Sequence, residues 1–254
     1  MAGTGGCDVL RARRGDVRSM EGFGDDECRR SSEYSMAIVA RIVHTGRVLV
    51  LMLCAAGMTA AVLLTAASAL AGPRLFGTVE FQMDLKKQQN WLSAMERNRK
   101  KPIFFDEKRF NSSTLWKDLK GRAAGKPFLE QLDIVNRFWN LWPYRTDREV
   151  YGRQDYWAAP YEFLARSGDC EDYCIIKYYT LKALGISADR MRIVVVRETI
   201  RNIGHAVLAV YDGENVYILD NLSDAVRPME RIRNYVPQFS VNEKHRWVHV
   251  RARR

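Results

Sequence analysis

The sequence predicts an α+β domain in which helices come first and an antiparallel sheet follows. Two observations carry this. Apolar residues recur at three- and four-residue steps up to Leu184, then in continuous or alternating runs from Arg190 onward. Asp212-Gly213 separates two such β runs, a hairpin signal. Helical segments followed by hairpin-linked strands favour segregated α+β packing over an alternating, parallel arrangement. At 254 residues and 47% hydrophobic content the chain suffices for one sizeable domain with an appendage.

Residues 1–35 are polar and mixed in charge, and Met20 or Met36 could be the true start of translation. Residues 36–71 read as a signal peptide. Arg41 and Arg47 precede an uncharged run from Val48 to Pro73, and Ala69-Leu70-Ala71 has the small-residue form of a cleavage site. An uncleaved membrane anchor is the alternative, because the run is long enough to span a bilayer. Cleavage would leave residues 72–254 as the working domain, with a net charge near +9. That basicity suits a solvated surface or anionic lipid or polysaccharide. No aromatic stacking motif interleaves the bases, and an exported chain is a poor candidate for nucleic-acid binding.

Within the domain, Thr78 to Phe104 reads as a surface helix and Trp116 to Arg122 as a short one. From Phe128, the stripe Leu129, Leu132, Val135, Phe138, Trp139 and Trp142 predicts a core helix that stops at Pro143. Tyr144 to Ala159 reads as irregular, and Pro160 opens a short helix to Ala165. The next helix carries Cys170, Tyr173, Cys174, Lys177, Tyr178, Leu181 and Leu184 on one stripe and ends at Gly185. Strands follow at Arg190–Arg197, His205–Tyr211 and Asn215–Asp220, with Trp247–Val250 as an edge strand.

The chemistry points to Ser167-Gly168-Asp169-Cys170-Glu171-Asp172. Asp169 is placed to cap the helix, with Asp172 in capping-box position. The Cys170 thiol then sits in the first turn, where the unpaired N–H groups favour a thiolate. Cys170 and Cys174 are one turn apart, badly spaced for a disulfide, and Cys174 reads as core. Of the four histidines, His205 opens a strand, His44 lies in the signal, and His245 and His249 read as exposed. A two-residue loop at Asp212-Gly213 sets His205 directly across from Asp220. A four-residue loop leaves the two diagonal on one face. A carboxylate beside an imidazole fixes its tautomer, and an imidazole beside a thiol activates it. Cys170, His205 and Asp220 are therefore expected to converge.

These residues resemble a known family. Tyr156-Trp157-Ala158-Ala159-Pro160, Gly168-Asp169-Cys170-Glu171-Asp172-Tyr173, Gly204-His205-Ala206-Val207-Leu208 and Leu219-Asp220-Asn221-Leu222 are similar to the bacterial transglutaminase-like cysteine peptidases, the LapG family of periplasmic proteases. The resemblance runs from about Phe128 onward. It implies a papain-like, transglutaminase-like fold and an endopeptidase that trims the N-terminal end of a large surface adhesin, releasing cells from a biofilm. Calcium dependence is implied, as is inhibition by an inner-membrane receptor for cyclic di-GMP. By position, Cys170 would be the nucleophile, His205 the base and then acid, and Asp220 the orienting carboxylate. Asp169 and Glu171 match the family's calcium-binding acids, with Asp172 a further ligand; helix capping is the competing role for Asp169 and Asp172. Two rivals stand beside hydrolysis: the same triad could transfer the acyl group to an amine and crosslink proteins, or the domain could be a calcium-responsive binding module without activity.

Overall fold

The computed structural model describes residues 73–251. The leader and the signal peptide or anchor, with Cys7, Cys28, Cys54 and His44, lie outside the described residues. Among the described residues no helix is long and apolar enough to cross a membrane.

Among the described residues six helices form, all but the fourth on expected segments: α1 (Gln89–Lys100), α2 (Trp116–Ala123), α3 (Phe128–Asn140), α4 (Asp147–Tyr151), α5 (Pro160–Arg166) and α6 (Cys170–Ala183). α6 ends at Leu184, and Gly185 follows at φ +98°, the left-handed stop expected of it. α4 arises in the stretch read as irregular. Thr146 accepts from Glu149 N while the Glu149 carboxylate accepts from Thr146 N, a capping box on a five-residue helix.

Seven strands form one antiparallel sheet: β1 (Thr78–Met83), β2 (Met191–Glu198), β3 (Ile203–Asp212), β4 (Asn215–Asp220), β5 (Ser223–Pro228), β6 (Tyr235–Val241) and β7 (Arg246–Arg251), in the order β1-β7-β6-β2-β3-β4-β5. Thr78–Met83 is therefore an edge strand where a helix was expected. β7 is internal, because β1 covers its outer side. His249 is buried there, not exposed: its ring sits between Thr78 Oγ1 and Ser240 Oγ, each at 2.9 Å.

Helix side chains pack on one sheet face. Trp91, Trp139, Tyr178 and Leu181 meet Ala206, Leu208 and Val210 of β3 there. The other face carries Val194, Val207, Ala209 and Ile218 beneath Met229, Ile232 and Tyr235. α3 and α6 lock together inside the core, where the Trp139 indole donates to Thr180 Oγ1 at 2.8 Å.

Candidate active site

Cys170 is the first residue of α6, delivered by a tight turn. Ser167 stands at φ +67°, and its hydroxyl donates to the Pro143 carbonyl. Gly168 follows because nothing larger fits: a Cβ there would come within 2.0 Å of Asp172 Oδ2. The capping box is only half built. Asp172 Oδ2 accepts from Asp169 N at 3.3 Å, but the Asp169 carboxylate turns away to accept from Asp147 N, also at 3.3 Å. Asp172 Oδ1 accepts from Ala158 N at 2.6 Å, so the Trp157-Ala158-Ala159 segment is tied to the cysteine turn.

The turn is a nest of acids. Ligand atoms of Asp169, Cys170 and Glu171 lie within 4.8 Å of one another, as do those of Asp147, Asp169 and Asp172, and those of Asp147, Asp155 and Glu171. No ion pair among the described residues offsets this charge. Asp147 Oδ1 and Asp169 Oδ1 are buried without a hydrogen-bond partner. Burial first, then the neighbouring acids, drives Glu171 and Asp172 well above the usual carboxylate range and Asp147 to about 6. Clustered hard oxygens with unspent acceptor capacity are what calcium takes as ligands. Asp169, Glu171 and Asp172 fit that role, and Asp147 joins them. Thr146-x-x-Glu149 was the only signal for Asp147, since it sets that residue at a helix start.

The expected thiolate is not favoured in this state. Burial, then Glu171 and Asp169, pushes the Cys170 thiol well above its ordinary value. The helix terminus contributes on the order of 1 kcal/mol the other way and is outweighed. The thiol is hydrogen-bonded to Glu171 Oε2 at 3.2 Å. Cys174 is buried core, as expected, and neither cysteine is in a disulfide.

His205 and Asp220 do meet: Nε2 lies 2.9 Å from Asp220 Oδ1. The hairpin reaches this by the slipped register. Asp212 pairs with Asn215 and Tyr211 with Val216, so the turn is Gly213-Glu214 rather than Asp212-Gly213. Gly213, at φ +59°, supplies the left-handed residue this turn needs. The pair is therefore diagonal. Asp220 is further held by Leu222 N on Oδ1 at 2.9 Å and by the Tyr235 hydroxyl on Oδ2 at 2.6 Å. Though burial opposes it, the His205 bond and charge and the Tyr235 bond hold the Asp220 carboxyl below its usual value. The Tyr235 ring lies 5.7 Å from that of His205. Tyr235 escaped the sequence reading because β6 brings it in from 30 residues beyond His205 with no local motif.

Alternation along β3 sets His205 with Val207 and Ala209, on the face opposite α6. The expected thiol–imidazole bond is not made: the Cys170 thiol bonds Glu171, and His205 bonds Asp220. What ties the parts together is the end of α3: Asn140 donates to the Asp220 carbonyl at 3.1 Å, and the Trp142 carbonyl accepts from Tyr173 on the first turn of α6 at 2.5 Å. Nδ1 is the ring nitrogen left to serve a thiol.

A cysteine opening a helix, with a histidine–carboxylate pair on adjoining strands of an antiparallel sheet, defines the class of the transglutaminase-like thiol enzymes. The family model of bacterial transglutaminase-like cysteine proteinases matches residues 111–254, and the chain belongs to that family. It is a cysteine peptidase. Calcium-bound LapG of Legionella pneumophila is similar at 30% identity and a TM-score of 0.50, over 63% of this chain and 86% of that one. The EGTA-treated form of the same protein matches at 30% identity and a TM-score of 0.49, over 63% and 84%. No curated protein sequence matches.

Proposed function

We propose that the chain is an exported, calcium-dependent endopeptidase whose nucleophile is Cys170, with His205 as base and acid and Asp220 as its orienting carboxylate. One observation carries this reading: the proposed nucleophile and the cation-ready acids are the same turn, Asp169-Cys170-Glu171, with ligand atoms within 4.8 Å of each other. The calcium-bound Legionella LapG structure supports calcium as the cation. Asp169, Glu171, Asp172 and Asp147 would hold it. Bound there, it would offset the negative charge that now disfavours the thiolate.

The Cys170 sulfur would add to a scissile carbonyl, and the Cys170 N–H, free of an intrahelical acceptor at the helix start, would receive the oxyanion. His205 takes the thiol proton at Nδ1 and gives it to the leaving amine as the C–N bond breaks. Water then attacks the thioester and gives a proton to His205; the C–S bond breaks, the acid leaves, and His205 returns the proton to the Cys170 sulfur. Asp220 keeps the proton on Nε2 throughout and stabilises the imidazolium. For this the thiol must exchange its hydrogen bond to Glu171 for one to His205.

The substrate we assign is a large surface adhesin cut near its N-terminal end in the periplasm, so that cleavage releases cells from a biofilm; an inner-membrane receptor for cyclic di-GMP is the expected inhibitor. The family resemblance supports these assignments, and the signal-like residues 36–71 support export. The test is to incubate the domain, wild type and Cys170→Ala, with adhesin fragments of its own organism, in calcium and in EGTA. A cut that requires both the thiol and the ion is expected. A cut that survives in EGTA removes the calcium role, and one that survives in Cys170→Ala removes the nucleophile.

A further inference from the structure

Lys177 lies two turns beyond Cys170 on α6 and is 1% exposed. Its ammonium has no carboxylate in ion-pair reach among the described residues. Nζ donates instead to two amide oxygens on α3, Asn136 Oδ1 at 2.7 Å and Asn140 Oδ1 at 2.6 Å. Burial pulls its pKa down to about 8, against the opposing pull of Cys174, Asp220 and Asp224. A cation desolvated among neutral acceptors costs stability that an apolar side chain of the same length would not. Packing alone therefore does not account for it.

The two asparagines show where it acts. An ammonium can only donate, so it turns both amide oxygens toward itself and both NH2 groups the other way. Those NH2 groups meet a single turn. Asn136 Nδ2 donates to the carbonyls of Ser223 at 2.7 Å and Asp224 at 3.0 Å. Asn140 Nδ2 donates to the carbonyls of Asp220 at 3.1 Å and Ser223 at 3.2 Å, and to Asp224 Oδ1 at 3.1 Å. A donor whose own oxygen is bound to a cation is polarised and holds its acceptors harder.

We propose that Lys177 is a positioning residue: through Asn136 and Asn140 it ties the Asp220–Asp224 turn to the helix that carries Cys170, and so sets where Asp220 meets His205. The inference rests on the reading of Cys170, His205 and Asp220 as the hydrolytic machinery. It makes α6 the carrier of two functions, the nucleophile at its first residue and the anchor of the third triad member two turns later.

Two variants test it. Lys177→Met keeps an unbranched side chain one atom shorter and removes the charge. Asn140→Asp keeps the oxygen that Lys177 needs but replaces the donor facing Asp220. Each is measured in calcium for melting temperature, for kcat and KM on an adhesin fragment the wild type cuts, and for the rate at which iodoacetamide alkylates Cys170. Both variants are expected to melt within a few degrees of wild type, to lose at least tenfold in kcat and in alkylation rate, and to keep KM within about twofold. A folded Lys177→Met that matches wild type in both rates overturns the positioning role. A parallel rise in KM with kcat unchanged overturns it too. Cleavage by Cys170→Ala would instead sink the underlying triad, which separates the two failures.

Discussion

Asp220 is the most heavily held side chain of the site. One oxygen serves His205 Nε2 and Leu222 N, and the other takes the Tyr235 hydroxyl at 2.6 Å. A hydrogen bond to a charged group is worth about 1.5–3 kcal/mol, and a buried oxygen stripped of its donor forfeits that. Tyr235→Phe is thus expected to lower kcat about tenfold with KM little changed, as steady-state kinetics would show. Gly168 is a second single-residue constraint. The Cβ of Gly168→Ala would collide with Asp172 Oδ2 at 2.0 Å, inside the acid nest. Such overpacking costs about 1–3 kcal/mol. A lower denaturation midpoint and weaker calcium binding by titration calorimetry are expected together; an unchanged midpoint would mean that Asp172 can move without consequence.

Between elements, the α3–α6 contact decides whether the site is assembled at all. Trp139 is fully buried and bonded to Thr180 across that interface. Trp139→Ala removes both the volume and the bond and is expected to cost about 3–5 kcal/mol, read from the urea midpoint. The β2–β3 connection has its own clasp: Glu198 accepts from Ile200 N, Arg201 N, Arg201 Nε and Asn234 Nδ2. Led by the Asn234 and Arg201 bonds, these hold its carboxyl at about 2, below the 4.5 of a free glutamate. A depressed acid stabilises above its unfolded pKa, so the contribution is complete above about 4.5 and vanishes as pH falls toward 2. The melting-temperature gap between wild type and Glu198→Gln should follow that course. Elements built on local signals were legible in the sequence. α3 had its aromatic stripe, α6 its acid-rich start and Gly185 stop, and the β3–β4 hairpin its Gly213. β1, β5 and β6 were not, because strands formed by pairing with distant partners carry little local pattern: Thr78–Met83 becomes a strand only because β7 lies beside it. The hairpin slipped by two for a similar reason. Asp212 pairs with Asn215, which moves the turn to Gly213-Glu214, and a shift of two keeps every side chain on its face.

At the scale of the whole molecule, Cys170 at the start of α6 and the His205–Asp220 pair on β3 and β4 are joined through the end of α3, with acids gathered around Cys170. Charge of one sign without a counterion is a liability until a cation arrives. Calcium at about 100 times its dissociation constant would add about 2.7 kcal/mol to stability, and EGTA would remove it. Calorimetric melting in the two conditions should differ accordingly, and Asp147→Asn should shrink the difference. Hydrolysis by this triad requires that Cys170 reach His205. The direct measurement is a crystal structure of the calcium-loaded domain with Cys170 trapped by a peptide aldehyde. The sulfur is expected to be released from Glu171 and to lie within about 3.5 Å of His205 Nδ1, in reach for proton transfer. A trapped sulfur still beside Glu171, with His205 facing Tyr235 and away from it, would contradict the triad.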